Sequence, residues 1–120
     1  YTANYLAYSW LERNFNIVKA IEMLELAYKN KKNDPYITDS IGWGYYIMGD
    51  YNTSEKYLKK ALELMPYDPI IHDHYGDVLW QLNRKIQAKY FWESVLDLED
   101  VEEKMKKDIK FKLLNGPNKI

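Results

Sequence analysis

The sequence predicts an all-α fold of stacked helix pairs, an α-solenoid, and three observations carry that reading. Asp34-Pro35 returns as Asp68-Pro69, 34 residues on, and a period of that size marks a repeat architecture. Apolar residues recur three and four apart along most of the chain, as in Leu58, Ala61, Leu62 and Met65, which is the period of a helix with one buried face. A shift by one period also superposes residues of like size without a gap. Tyr8, Gly42 and Gly76 coincide; so do Leu11, Tyr45 and Leu79, then Ala20, Ser54 and Ala88, then Leu24, Leu58 and Trp92, then Ala27, Ala61 and Val95. Small residues belong where two helices approach most closely, and large ones fill the holes beside them.

In chain order, residues 1–14 carry Ala3, Leu6, Ala7, Trp10 and Leu11 at helical spacing until Asn14-Phe15-Asn16 breaks the pattern. A second helix is expected over 17–30, with Ala20, Ile21, Leu24, Ala27 and Tyr28 on one face. The lysines of the following loop suit the negative end of a helix. Asp34-Pro35 is a start signal: the aspartate caps orphan N–H groups, and proline at the first helical position has no N–H to leave unpaired. This third helix runs through Ile37, Ile41, Tyr45 and Met48 to a Gly49-Asp50 turn. Asn52 and Glu55 have the spacing of a capping box for the fourth helix, which ends at Pro66. Asp68-Pro69 starts the fifth helix, with Ile71, Tyr75, Val78, Leu79 and Leu82. Asn83-Arg84-Lys85 turns into the sixth, with Ala88, Phe91, Trp92, Val95 and Leu96. A last amphipathic stretch, 101–114, sets Met105, Ile109 and Leu113 four apart before Asn115-Gly116-Pro117 stops it.

The middle unit reads Ile41-Gly42-x-x-Tyr45, then Ala61 and Pro66; the next reads Tyr75-Gly76-x-x-Leu79, then Ala88 and Trp92. This pattern resembles the tetratricopeptide repeat (TPR) over residues 1–102. Tyr67-Asp68-Pro69 with His74-Tyr75-Gly76-Asp77 is similar to segments of larger bacterial TPR proteins. The first unit departs from the pattern with Tyr8 at the glycine position, and Thr38 and His72 stand where the family often has Trp. The resemblance implies antiparallel pairs in a right-handed superhelix. It makes residues 1–120 a single domain: repeats over 1–34, 35–68 and 69–102, a capping helix over 101–115 and a frayed tail over 116–120.

It also implies that the first helix of each pair lines a concave groove. The residues expected to face a partner there are Tyr5, Tyr36, Asp39, Trp43, Tyr46, Ile47, Asp73, Asp77 and Trp80. Helix periodicity alone lets Trp43, Tyr46 and Ile47 share a face, and likewise Asp73, Asp77 and Trp80. Tyr45, Tyr57, Tyr75 and Trp92 are assigned to packing. An aromatic–acidic groove suits a peptide or protein segment with apolar anchors and basic residues. TPR domains that clamp a terminal carboxylate use Lys and Asn on the groove; Asp39 with Trp43 and Asp73 with Asp77 stand there instead, which disfavours that function.

Composition excludes several classes. Lys and Arg number 17 against 18 Asp and Glu, a net charge of −1, so no global field draws the chain to nucleic acid or a membrane surface. There is no cysteine, hence no disulfide or thiol chemistry. No apolar run is long enough to insert into a bilayer. His72 and His74, two apart on a helix, do not converge on a metal, and Asp73 with Asp77 lacks a third ligand. Ser40 and Ser54 have no orienting acid or oxyanion hole at recognisable spacing, and Gly42-x-Gly44 is not a phosphate loop. Lys104, Lys106, Lys107, Lys110 and Lys112 are interrupted by Glu102, Glu103 and Asp108, as on a solvated cap. The expectation is a non-enzymatic adaptor without metal or cofactor. The alternative is a structural or self-associating segment of a longer solenoid with no ligand of its own, meeting its neighbour through the first repeat or the C-terminal helix. The chain begins at Tyr1 inside a helical pattern and is read as a piece of something longer; cytoplasm and bacterial periplasm both remain open.

Overall fold

The computed structural model of the chain describes residues 2–13 and 16–117, with residues 2–5 and 12 as backbone only. Seven helices occupy these residues: α1 (Thr2–Glu12), α2 (Ile17–Asn30), α3 (Pro35–Met48), α4 (Tyr51–Leu64), α5 (Pro69–Gln81), α6 (Lys85–Leu96) and α7 (Glu103–Asn115). Each packs on its sequence neighbour, and α1, α3 and α5 also touch one another in series. The fold is an all-α helical-repeat solenoid.

The helix starts follow from local chemistry. Asp34 is extended at φ −82°, ψ 113°, and its carboxylate accepts from the N–H groups of Tyr36 (2.9 Å) and Ile37 (3.2 Å). Asp68 repeats the arrangement on Ile71 (3.0 Å). Gly49, at φ 87°, ends α3 in the left-handed region, where glycine carries no Cβ penalty. The expected Asn52–Glu55 capping box does not form. Asp50 caps α4 instead, accepting from Thr53 N–H at 3.3 Å. Asn52 therefore lies inside the first turn, and the Glu55 carboxylate accepts from Tyr75 Oη (3.2 Å) and pairs with Arg84 (2.8 Å).

The register sets the packing. Ala20, Ser54 and Ala88 are all fully buried at the closest approach of each pair, and Ser54 Oγ donates to the Gly42 carbonyl at 2.7 Å. A Cβ on Gly42 would lie 2.7 Å from Leu58 Cγ, and one on Gly76 would collide with the indole of Trp92. Trp92 is fully buried and its Nε1 donates to the Asp73 carbonyl at 3.3 Å. Its equivalents Leu24 and Leu58 are buried too. His72 is buried, tilted against Phe91 at 5.8 Å, with Nε2 on the Pro66 carbonyl.

Two buried clusters result. Ala7, Leu11, Ala20, Leu24, Ile37 and Ile41 form one, between α1, α2 and α3. Leu58, Val78, Leu79, Trp92, Val95 and Ile109 are among the members of the other, which reaches α7. Trp43 packs against both. Gly116, placed in the tail by the sequence pattern, is buried: at φ 79° it lies against Trp80, where a Cβ would come within 2.8 Å of the ring. The remainder of the expected tail, 118–120, and the Asn14-Phe15 break lie outside the described residues.

The glycine contacts give a stability order. Alanine is favoured over glycine in a helix by about 1 kcal/mol, but overpacking a filled site costs about 1–3 kcal/mol. Gly76→Ala, against a rigid indole fixed by its own hydrogen bond, is expected to destabilise the chain. Gly42→Ala, against the more pliable Leu58 side chain, is expected to cost less. Urea unfolding of both variants measures the order.

Candidate functional site

The first helices of the pairs, α1, α3 and α5, touch one another in series. At Tyr5, the side chain lies outside the described residues. Tyr36, in the first turn of α3, is 62% exposed. Ile47 is half-buried against the α1–α3 cluster. Asp39, Trp43, Tyr46, Asp73 and Asp77 are drawn into a layer of bonds and stacked rings that joins α3, α5 and α7, and Trp80 packs apart from it.

Asp39 on α3 is buried and accepts from His74 Nδ1 on α5 at 2.9 Å. Trp43 is sandwiched: Tyr46 stacks on one side at 4.6 Å and 11°, and His74 at 4.1 Å and 16°. Tyr46 is buried, and its hydroxyl accepts from Gln81 Nε2 at 3.3 Å. Lys112 of α7 reaches back to α5 and donates to Asp73 Oδ1 (2.7 Å) and Asp77 Oδ1 (3.0 Å). Trp80 lies between Trp92, at a centroid distance of 5.6 Å, and Gly116, with Lys85 Nζ 4.8 Å from its ring centroid.

These bonds have a common spacing. His74 to Asp39, Gln81 to Tyr46 and Lys112 to Asp77 each span 35 residues, one repeat plus one. The extra residue turns the side chain about 100° around the helix, towards the preceding first helix. Each of these polar groups on α3 and α5 is thus met by a residue from the next first helix. His74 and Lys112 are the two members that sequence reasoning missed; the 35-residue spacing was the signal that would have found them.

The layer holds three carboxylates and two cationic side chains. Burial pushes the Asp77 carboxyl up to about 6, with Lys112 pulling the other way and Asp73 adding to the rise. For His74 burial favours the neutral ring, but the pairing with Asp39 and the fields of Asp73 and Asp77 outweigh it, so its affinity for a proton is raised. Burial likewise works against the Lys112 charge, and Asp77 and Asp73 more than restore it. Burial, with Asp77 nearby, raises the Tyr46 hydroxyl and keeps it protonated. Among the described residues no three His, Asp or Glu side chains are grouped to hold a metal, and no helix is long and apolar enough to cross a membrane.

No protein-family model matches the chain. A TPR repeat-containing protein of Pseudomonas aeruginosa is 35% identical over 74 residues, 62% of this chain and 12% of the length of that protein. The Yersinia enterocolitica type III secretion translocator chaperone SycD superposes with a TM-score of 0.81 at 14% identity, over 94% of this chain and 87% of that one. The first TPR of Spaghetti (RPAP3), bound to an HSP90 peptide, gives 0.77 at 14% identity over 92% and 86%. The first TPR domain of human RPAP3 gives 0.79 at 15% identity over 95% and 88%. The fold is that of TPR domains, and the chain resembles TPR segments of larger proteins.

A pH dependence follows from the raised groups. The Asp77 contribution is fully present below the ordinary carboxylate value of 3.8 and is lost as pH rises through about 6. The His74 contribution is present below 6.5 and is lost at higher pH, as the ring gives up its proton. Thermal melts are therefore expected to give a higher Tm at about pH 5.5 than at about pH 8, with a smaller difference in Asp77→Asn. Lys112→Ala leaves two shielded carboxylates sharing no cation and is expected to cost about 3 kcal/mol or more, with the larger loss at the higher pH. Urea titration at both pH values tests this.

Proposed function

We propose that the chain is a protein-interaction module that takes a peptide or protein segment along the face of its first helices, without chemistry of its own. The observation that carries the reading is the bonded inner layer. It fixes α3, α5 and α7 as one pre-ordered surface, so little ordering cost falls on binding. The RPAP3 neighbour with its bound HSP90 peptide and the chaperone SycD support the same use of the fold. On this reading the anchors are the apolar groove-register residues that keep their surface, Tyr36 and Ile70, at the same position of α3 and α5. Trp43 and Trp80 stay partly exposed further along the same two helices.

The basic character expected of the partner has less support than its apolar character. Asp39, Asp73 and Asp77 already have cationic partners within the chain. Trp43 offers a partner its edge, since both its faces are stacked. Trp43→Ala would consequently confound binding with folding.

Selection of a random peptide library displayed on phage, followed by calorimetry with the selected peptides, tests the reading. The Tyr36→Ser/Ile70→Ser double variant changes only exposed side chains. It is expected to keep its melting profile and to lose about tenfold or more in affinity. Unchanged affinity, or a library that yields no ligand, sinks the proposal.

A further inference from the structure

α7 continues the groove with the opposite charge. Lys104, Lys107, Phe111 and Leu114 occupy the register of Tyr36, Asp39, Trp43 and Tyr46 in α3, and of Ile70, Asp73, Asp77 and Trp80 in α5. Two features place α7 in that series. Ile109, equivalent to Ile41 and Tyr75, is fully buried, and Lys112 makes the same 35-residue step to α5 that His74 and Gln81 make to α3. The stripe one face over is therefore the inner stripe of α7.

Its chemistry is distinctive. Phe111 is 53% exposed and Leu114 86%. Lys104 and Lys107 are exposed, and among the described residues neither has a carboxylate within 4.0 Å. The carboxylates of α3 and α5 on this face are committed to His74 and Lys112. Three carboxylates share those two cations, yet Lys104 and Lys107 leave the α7 stripe itself positive, and that charge lies beside apolar surface. From Lys107 to Leu114 the helix rises about 10 Å, so one short segment can touch both ends.

We infer that this stripe of α7 is a docking surface for a protein segment that carries apolar side chains with carboxylates beside them. The inference rests on the interaction-module reading and names the partner's chemistry. The apolar pair supplies buried area, and the lysines select charge and speed encounter. A second copy docking through the same stripe would bring like charges together, which opposes self-association there.

Two fluorescein-labelled synthetic amphipathic peptides with one leucine pattern, one bearing glutamates and the other lysines, test it by anisotropy. The glutamate peptide is expected to bind more tightly, and less so as salt is raised. Lys104→Glu/Lys107→Glu should weaken it about tenfold or more and make the lysine peptide the better ligand. Phe111→Ser should weaken both, with circular dichroism melts unchanged throughout. If the charge swap leaves the preference between the peptides unaltered, the inference is overturned. Binding to phosphatidylserine vesicles without binding to the glutamate peptide, or dimerisation in light scattering that the swap abolishes, also overturns it. The Tyr36/Ile70 variant separates the two claims: its loss of the phage-selected peptides alongside a silent α7 swap rejects the α7 surface alone.

Discussion

A carboxylate removed from water has to be given a cation or a proton. That requirement shapes the inner face of this solenoid. Asp39 falls on α3, and Asp73 and Asp77 on α5, where stacking shields them, and each is met by a side chain from the next first helix, His74 for Asp39 and Lys112 for the other two. The bonds run between repeats, not within them. The cost of shielding the charges is thereby tied to the correct stacking of α3, α5 and α7. A solenoid otherwise relies on non-directional apolar contact between neighbours, which tolerates sliding. Directional bonds at a fixed spacing give the stack a single register.

The outer packing works by shape. Glycine in α3 and α5 admits a large side chain from the partner helix, Leu58 in one pair and Trp92 in the other. The enlarged residue in the third pair is accommodated because its hydrogen bond to the Asp73 carbonyl anchors the indole. Asp73 therefore serves both surfaces of α5, with its backbone on one and its carboxylate on the other. Burial and polarity meet at that turn.

Much of this was legible in the sequence, for reasons that are local. Asp-Pro at a helix start, glycine after a helix end and a 34-residue register are readable because each depends on residues close in the chain or on simple recurrence. Asn52–Glu55 misled because Asp50, two residues earlier, competes for the same N–H groups and wins. The inner face was the harder case. Periodicity places Asp73 and Asp77 on one side of a helix but says nothing of what lies opposite them. Lys112 reads as one more lysine of a solvated cap until α7 is folded back onto α5. Trp43, Tyr46 and Trp80 were readable as aromatics of the first helices, yet whether a ring binds a partner or a neighbour depends on side chains 12 to 35 residues away.

Trp43 stands where the two buried clusters join. In a one-dimensional array, cooperativity depends on the weakest junction between neighbouring units and not on the average. Trp43, with the Asp39–His74 and Tyr46–Gln81 bonds beside it, thus helps decide whether the helices behave as one thermodynamic body or as two. Its stacking on His74 ties that decision to the protonation of an imidazole. The correlation length of the array, how far a disturbance at one end is felt at the other, is consequently written into the central repeat.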